Sequence, residues 1–192
     1  MKEVLRPTDK AAEEAVRTLI SWIGDNPNRE GLRETPKRVI NAYREFFSGY
    51  NLDAKKILGK TFEEVEGYDD MVLLKDMRME SHCEHHMVPF VGIAHVAYVP
   101  DHKVAGISKI GRLIDVFAKR LQTQETMTAQ IVDAINTVLK PKGVAVLISA
   151  KHQCMTTRGV HKTDTETVTK MMSGVFKDDP EMEKKFLMMI SC

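Results

Sequence analysis

Two amphipathic helices are predicted at the start of the chain. Between residues 8 and 25 the apolar positions recur every three or four residues, and Thr8 is placed to cap such a helix. These apolar residues are Ala12, Ala15, Val16, Leu19, Ile20 and Ile23. A second stripe follows Thr35-Pro36, which has the pattern of an N-cap followed by proline at the first helical position. Because no strand pattern precedes about residue 70, residues 1–66 are predicted to form a helical arm.

Residues 67–192 show a different pattern, in which strands and helices alternate in groups. The predicted strands are 71–80, 90–99, 144–150 and 165–169, the third almost wholly apolar and the fourth β-branched. Two helices are predicted between the second and third strands, the first capped by Ser108 and the second ending at Pro141-Lys142-Gly143. A last helix begins at Asp179-Pro180. This order favours an α+β domain with a largely antiparallel sheet.

Composition and charge narrow the possible partners of the chain. With 192 residues the chain can bury one main core, and 28 basic against 27 acidic residues leave a formal net charge of only +1. No overall field would therefore attract nucleic acid or a membrane surface. The apolar runs fall well short of the about 20 residues that span a bilayer, and the first residues lack an apolar signal segment. We expect a cytoplasmic protein.

The cysteines and histidines suggest a metal site. Three cysteines are an odd number in a chain that needs no disulfide, and in a reducing compartment metal binding or catalysis is their commoner use. Cys83 and His86 have the short spacing at which a thiolate and an imidazole can face one zinc ion. Cys154 can supply a third ligand if the sheet brings its loop beside the first. Three protein ligands leave a fourth position open, as in catalytic zinc sites.

Ordinary explanations of the same residues stay open at this point. Cys83 and Cys154 can be two buried thiols or a disulfide, and His82 and His85 can be simple loop residues. Cys192 has no neighbouring ligand type and is not assigned to the site. His152, two residues before Cys154, is a candidate general acid or base, since an ordinary histidine pKa of about 6.5 allows proton transfer near neutrality. It can equally be a core or surface histidine.

Several motifs in one order resemble the GTP cyclohydrolase I family. They are residues 81–92 (SHCEHHMVPFVG), 106–112 (GISKIGR), 120–125 (RLQTQE) and 152–160 (HQCMTTRGV), with further likeness at 31–38 and 174–176. The likeness covers nearly the whole chain. Departures occur at Thr126, where an arginine is common in the family, and across 161–166. These departures touch no implied ligand or triphosphate contact.

The resemblance implies a reaction and a set of catalytic residues. The family converts GTP to 7,8-dihydroneopterin triphosphate and formate, the first step of tetrahydrofolate or tetrahydrobiopterin synthesis. Cys83, His86 and Cys154 match its zinc ligands. His152 matches the catalytic histidine, which would protonate N7 of guanine, and His85 matches an active-site residue that positions substrate or water.

The resemblance also implies the residues that bind GTP. Glu125 matches a residue that accepts hydrogen bonds from guanine N1 and the amino group, and Gln124 flanks it. The matched triphosphate contacts are Arg38, Lys109, Arg112 and Arg158, with Ser108 near the ribose. Ser108 and Lys109 lie at a predicted helix start, where free amide groups and the helix dipole favour phosphate.

The family resemblance further implies the tunnelling fold, an antiparallel sheet with helices packed on one face, and a ring-shaped homodecamer with active sites between subunits. Two rival interpretations remain. One is another tunnelling-fold enzyme of pterin or deazapurine chemistry. The other is a non-enzymatic protein of the same fold with a structural zinc or an inactive site.

Overall fold

The computed structural model describes residues 5–59, 61–62 and 68–191 and divides the chain into two compact units, Met1–Ser48 and Gly49–Cys192. The boundary expected between residues 66 and 67 and the residue Cys192 lie outside the described residues. No helix in the described part of the chain has the length and apolar character needed to cross a bilayer.

The first unit is a pair of helices. Helix α1 (Asp9–Trp22) and helix α2 (Thr35–Phe46) contact each other, and a short 3-10 turn, Glu30–Leu32, lies between them in sequence. The side chain of Thr8 accepts a hydrogen bond from the backbone N–H of Ala11 at 3.3 Å, which confirms the predicted cap. Helix α2 begins at Thr35 rather than after it, with Glu34 at the capping position, so that assignment was wrong by one residue.

The second unit contains all the strands found in the described residues. They are β1 (Thr61–Phe62), β2 (Val72–Cys83), β3 (Pro89–Val99), β4 (Val104–Ala105), β5 (Leu121–Gln122), β6 (Gly143–His152) and β7 (Thr167–Gly174). Its helices are α3 (Ala54–Leu58), α4 (Ile107–Ala118), α5 (Gln124–Leu139), α6 (Gln153–Thr156), α7 (Val175–Asp178) and α8 (Pro180–Ser191). A 3-10 turn spans Ser48–Asn51.

Five strands form one sheet in the order β5-β2-β3-β6-β7. The pairs β2–β3, β3–β6 and β6–β7 are antiparallel, whereas the short β5 runs parallel to β2. Strands β1 and β4 form a separate antiparallel pair. All four strands expected from the sequence are present, and the last begins two residues later than predicted and continues to Gly174.

Helices α4 and α5 cover one face of this sheet, as the tunnelling fold requires. Alternate residues of β3 and β6 point into this core because side chains alternate across a strand. The buried residues are Ala94, Val96, Tyr98, Val144, Val146 and Ile148 from the sheet and Ile110, Leu113, Ile114, Met127, Ile131 and Ile135 from the helices. Helix α4 is capped at Gly106, not at the predicted Ser108, which lies in its first turn. The α+β fold is thus confirmed.

The C-terminal helices add a second, smaller core on the opposite face. Phe176 and Phe186 are fully buried there, with ring centroids 6.1 Å apart, against Ala97, Val99 and Ala145 of the sheet. Burial of each phenylalanine stabilises the fold by about 1.5–3 kcal/mol. One end of the sheet is therefore covered on both faces.

A buried histidine supports a bulge in β2. The register with β3 shifts between Leu74 and Met77, and Asp76 there adopts a left-handed backbone with φ of 57°. The backbone N–H of Asp76 donates to His95 Nδ1 at 3.2 Å, so this nitrogen carries no proton. Burial lowers the pKa of His95, while Asp76 raises it and Lys75 lowers it.

We predict that His95 makes the protein less stable in acid. The folded-state pKa is below the unfolded value of about 6.5, so protons bind preferentially to the unfolded chain as the pH falls from there. His95→Gln should flatten the decline of the free energy of unfolding, measured by urea titration between about pH 7 and 5, by at most about 1.4 kcal/mol per pH unit. His102→Gln, whose side chain is 88% exposed, is the control. An unchanged slope in His95→Gln would contradict the assignment.

Candidate metal and catalytic site

Antiparallel pairing brings the ends of two non-adjacent strands together. Because β3 is antiparallel to both β2 and β6, these two flanking strands run in the same direction and finish at the same end of the sheet. Strand β2 ends at Cys83 and β6 ends at His152, with Phe90 at the start of β3 paired to Ser81 on one side and His152 on the other. The two predicted halves of the site thus meet at one end of the sheet.

A glycine permits the close approach of β3 and β6 near this end. Gly92 pairs with Ala150, two positions along from the pair of Phe90 and His152. A Cβ atom at residue 92 would lie 2.0 Å from the backbone oxygen of Ser149, which no side chain tolerates. Glycine is therefore required at this position for the strand separation seen here.

The turn between β2 and β3 holds two of the predicted metal ligands. Cys83 donates its backbone N–H to the carbonyl of Val88 at 2.9 Å, and Met87 donates to the carbonyl of Cys83 at 2.8 Å. Met87 adopts a φ of 55°, which is uncommon for a residue with a side chain. This tight turn brings His86 Nδ1 to 3.9 Å from Cys83 Sγ.

Cys154 completes a three-residue group that can hold a metal ion. It lies in α6, a single helical turn that follows β6 directly. The ligand atoms of Cys83, His86 and Cys154 all lie within 4.8 Å of one another. A tetrahedral zinc imposes separations of about 3.5–3.8 Å on sulfur and nitrogen ligands, so small rotations suffice. The site proposed from spacing alone is thus brought together by the fold.

The electrostatics of the two thiols suit a cation. Burial and the neighbouring Cys83 raise the pKa of the Cys154 thiol, and Arg158 acts in the opposite direction. Two thiolates at this distance repel each other unless a positive charge lies between them. A metal ion supplies that charge and deprotonates coordinating thiols.

Two further side chains border this group. His85 Nδ1 lies 3.7 Å from Cys83 Sγ, in the same turn. Arg158 Nη1 lies 3.3 Å from His86 Nε2 and must donate to it, because a guanidinium has no acceptor. The contact of Arg158 with His86 was not predicted, since the resemblance assigns Arg158 only to the triphosphate.

His152 is held between an aromatic ring and an amide. Its imidazole stacks on the fully buried ring of Phe90, with centroids 4.5 Å apart and planes 2° from parallel. Its Nε2 lies 2.8 Å from Gln124 Oε1. Burial lowers the pKa of His152, and the negative charge of Glu125 partly opposes this.

Gln124, which the resemblance places among the GTP-binding residues, is buried in this structure. Helix α5 starts at Gln124 just after β5, whose Gln122 pairs with Cys83, so this helix start lies at the same end of the sheet. The Gln124 side chain is only 1% exposed, and its amide group is used within the protein. The sequence did not predict this burial, because a polar residue at the start of a helix is usually exposed.

The remaining predicted contacts lie on helices α5, α4 and α2. Glu125 is exposed in the first turn of α5, and on α4 Ser108 and Arg112 are exposed while Lys109 is half-buried. Among the described residues neither Lys109 nor Arg112 forms an ion pair with an acidic side chain. Arg38 is an exposed residue of α2 in the first unit. The side chains of Lys109, Arg112 and Arg38 could therefore bind an anion.

Comparison with known proteins gives a consistent result. A family model described as GTP cyclohydrolase I matches residues 12–191. The GTP cyclohydrolase 1 of Hyphomonas neptunium is 59% identical over 186 residues, covering 97% of this chain and 90% of that protein. The GTP cyclohydrolase 1 of Maricaulis maris is 58% identical over 185 residues, covering 96% and 90% respectively. The chain therefore belongs to the GTP cyclohydrolase I family.

Proposed function

We propose that this chain is a zinc-dependent GTP cyclohydrolase I in the cytoplasm, which converts GTP and water to 7,8-dihydroneopterin triphosphate and formate. The observation that carries the proposal is the Cys83–His86–Cys154 group lying at the same sheet end as the half-buried His152. Family membership agrees with it. The product would enter tetrahydrofolate or tetrahydrobiopterin synthesis.

Zinc is the metal that this donor set favours. Two thiolates and one imidazole match its preference for sulfur and nitrogen, and hard cations such as Mg²⁺ prefer oxygen. Within the described part of the chain, the group contains three ligands and no fourth, as expected for a catalytic rather than a structural ion. When bound, zinc would act as a Lewis acid that makes water a nucleophile near neutral pH.

His152 would act as the general acid of the reaction. Addition of water to C8 of guanine is favoured when N7 is protonated, because a proton there withdraws electrons from C8. His152 can donate this proton, and its half-buried ring is held in one orientation by Phe90. A second water would hydrolyse the formamide and release C8 as formate. The ribose would then rearrange to a ketone, and the freed amine would condense with it and lose one water, so that one water is consumed overall. His85 would help to position substrate or water.

Exposed polar residues would recognise the rest of GTP. The Glu125 carboxylate can accept from N1 and the amino group of guanine, and adenine would leave it unsatisfied. Lys109, Arg112, Arg158 and Arg38 would bind the triphosphate, with Ser108 near the ribose. Since the net charge is only +1, these few side chains must supply most of the attraction for so anionic a ligand.

We also propose assembly as a ring-shaped homodecamer. Leu19, Trp22 and Ile23 on the first helical unit are 59%, 80% and 70% exposed, which is costly for apolar side chains unless another surface covers them. Light scattering should give a mass about ten times that of the chain, and activity should fall when dilution dissociates the particle. A fully active monomer would contradict this proposal.

Turnover of GTP tests the proposed reaction. Zinc-loaded protein incubated with GTP should release formate and a pterin that fluoresces after oxidation. His152→Ala should abolish release of formate, with a loss of at least about 100-fold, while the protein retains zinc. Cys154→Ala should lose both zinc and activity, because two ligands hold zinc poorly.

His102→Ala is the matched control for the histidine variant, because His102 is an exposed loop residue outside the site. It should keep both zinc and turnover. No formate from metal-replete, assembled wild-type protein would overturn the proposed function. Loss of zinc from His152→Ala would overturn the division of roles between ligand and proton donor.

A further inference from the structure

The hydrogen bonds of Gln124 fix the orientation of its amide group. Its Nε2 lies 3.0 Å from the carbonyl oxygen of Ile148, 2.9 Å from that of Thr167 and 3.2 Å from Thr169 Oγ1. Backbone carbonyls only accept hydrogen bonds, so the atom facing them must be the NH₂ group. The reversed orientation would place three oxygen atoms against each other in a site with 1% exposure.

The hydroxyl groups around Gln124 agree with this orientation. Thr128 Oγ1 donates to the carbonyl of Gln124 at 2.7 Å, which uses its one proton. Thr169 must therefore donate in the 2.7 Å contact between the two threonine hydroxyls. The lone pairs of Thr169 Oγ1 are then free to accept from the Gln124 amide. Each hydroxyl proton thus has one place, and the two N–H protons of the Gln124 amide are shared among three acceptors.

The remaining amide oxygen can only accept, and this determines which nitrogen of His152 carries a proton. Gln124 Oε1 lies 2.8 Å from His152 Nε2, so Nε2 must be the N–H donor. In the neutral ring Nδ1 is then unprotonated. No described residue forms a hydrogen bond with Nδ1. Phe90 stacks on the ring face and prevents the imidazole from turning out of this plane.

We propose that Gln124 is a positioning residue that selects the Nε2–H tautomer of His152 and leaves Nδ1 as the nitrogen that exchanges a proton with the substrate. This inference rests on the proposed function for its catalytic consequence. In the imidazolium form Nδ1 gives its proton to the substrate nitrogen, and the ring returns to the Nε2–H tautomer without moving. Gln124 thus acts through His152 and has no need to touch the nucleotide.

The tautomer can be measured directly on the wild-type enzyme. Zinc-loaded protein with ¹⁵N-labelled histidine is examined by solid-state NMR about two pH units above the ordinary histidine pKa of about 6.5, where the ring is neutral. The His152 signals are assigned by their absence in His152→Ala. We expect a protonated Nε2 and an unprotonated Nδ1. A protonated Nδ1 would overturn the proposal.

A variant tests the catalytic consequence. Gln124→Met keeps a similar volume but removes the acceptor, so the single tautomer should become a mixture. The kcat should fall about 10-fold to 100-fold, part of the about 10²–10⁴ that acid–base catalysis supplies, with KM for GTP changed less than about threefold. Unchanged kcat, or a change confined to KM, would overturn the positioning role.

Gln130→Met is the matched control, since Gln130 is a partly buried amide on the same helix that pairs with Gln122 at 2.9 Å and not with His152. It should leave the tautomer and kcat unchanged. If Gln124→Met fails to fold, the wild-type spectrum alone decides the proposal. If wild-type protein releases no formate, the proposed function fails, while the spectrum still decides whether Gln124 sets the tautomer.

Discussion

The position of β3 between β2 and β6 is the constraint on which the site depends. Because β3 is antiparallel to both neighbours, β2 and β6 run in the same direction. Cys83 and His152, the last residues of these strands, therefore lie at the same end of the sheet, although 68 residues separate them in sequence. A register slip of one residue would turn these side chains to the other face of the sheet. The fully buried apolar residues of β3 and β6 resist such a slip because one face is packed against α4 and α5.

In the proposed reaction this arrangement separates metal binding from proton transfer. The metal-binding side is built from a tight turn and a single helical turn, where Cys83, His86 and Cys154 can adjust by small rotations around an ion. The side proposed for proton transfer has His152 fixed by Phe90 on its face and Gln124 on its edge. Rigid support suits a residue that must direct a proton, because misplacement by about 1 Å can cost about 100-fold in rate.

The sequence predicted the elements and the metal ligands but not the network that supports them. Alternation along 90–99 and the apolar run 144–150 identify strands because each is a local pattern. The Cys-x-x-His spacing is also local, and Cys154 was a candidate because it follows a predicted strand; the family motifs then matched all three residues to ligands. In contrast, the burial of Gln124 depends on carbonyls of β6 and β7, and the contact of His95 with the Asp76 bulge joins residues 19 apart. Neither has a local signature.

Cys83, His86 and Cys154 are proposed to hold one zinc ion and to leave a fourth position open. X-ray absorption at the zinc edge tests it most directly on stoichiometrically loaded protein without substrate. We expect two sulfur ligands at about 2.3 Å and two lighter ligands at about 2.0–2.1 Å, only one of which shows the outer-shell scattering of an imidazole. Two imidazoles, a single sulfur, or a shell of oxygen atoms alone would contradict it.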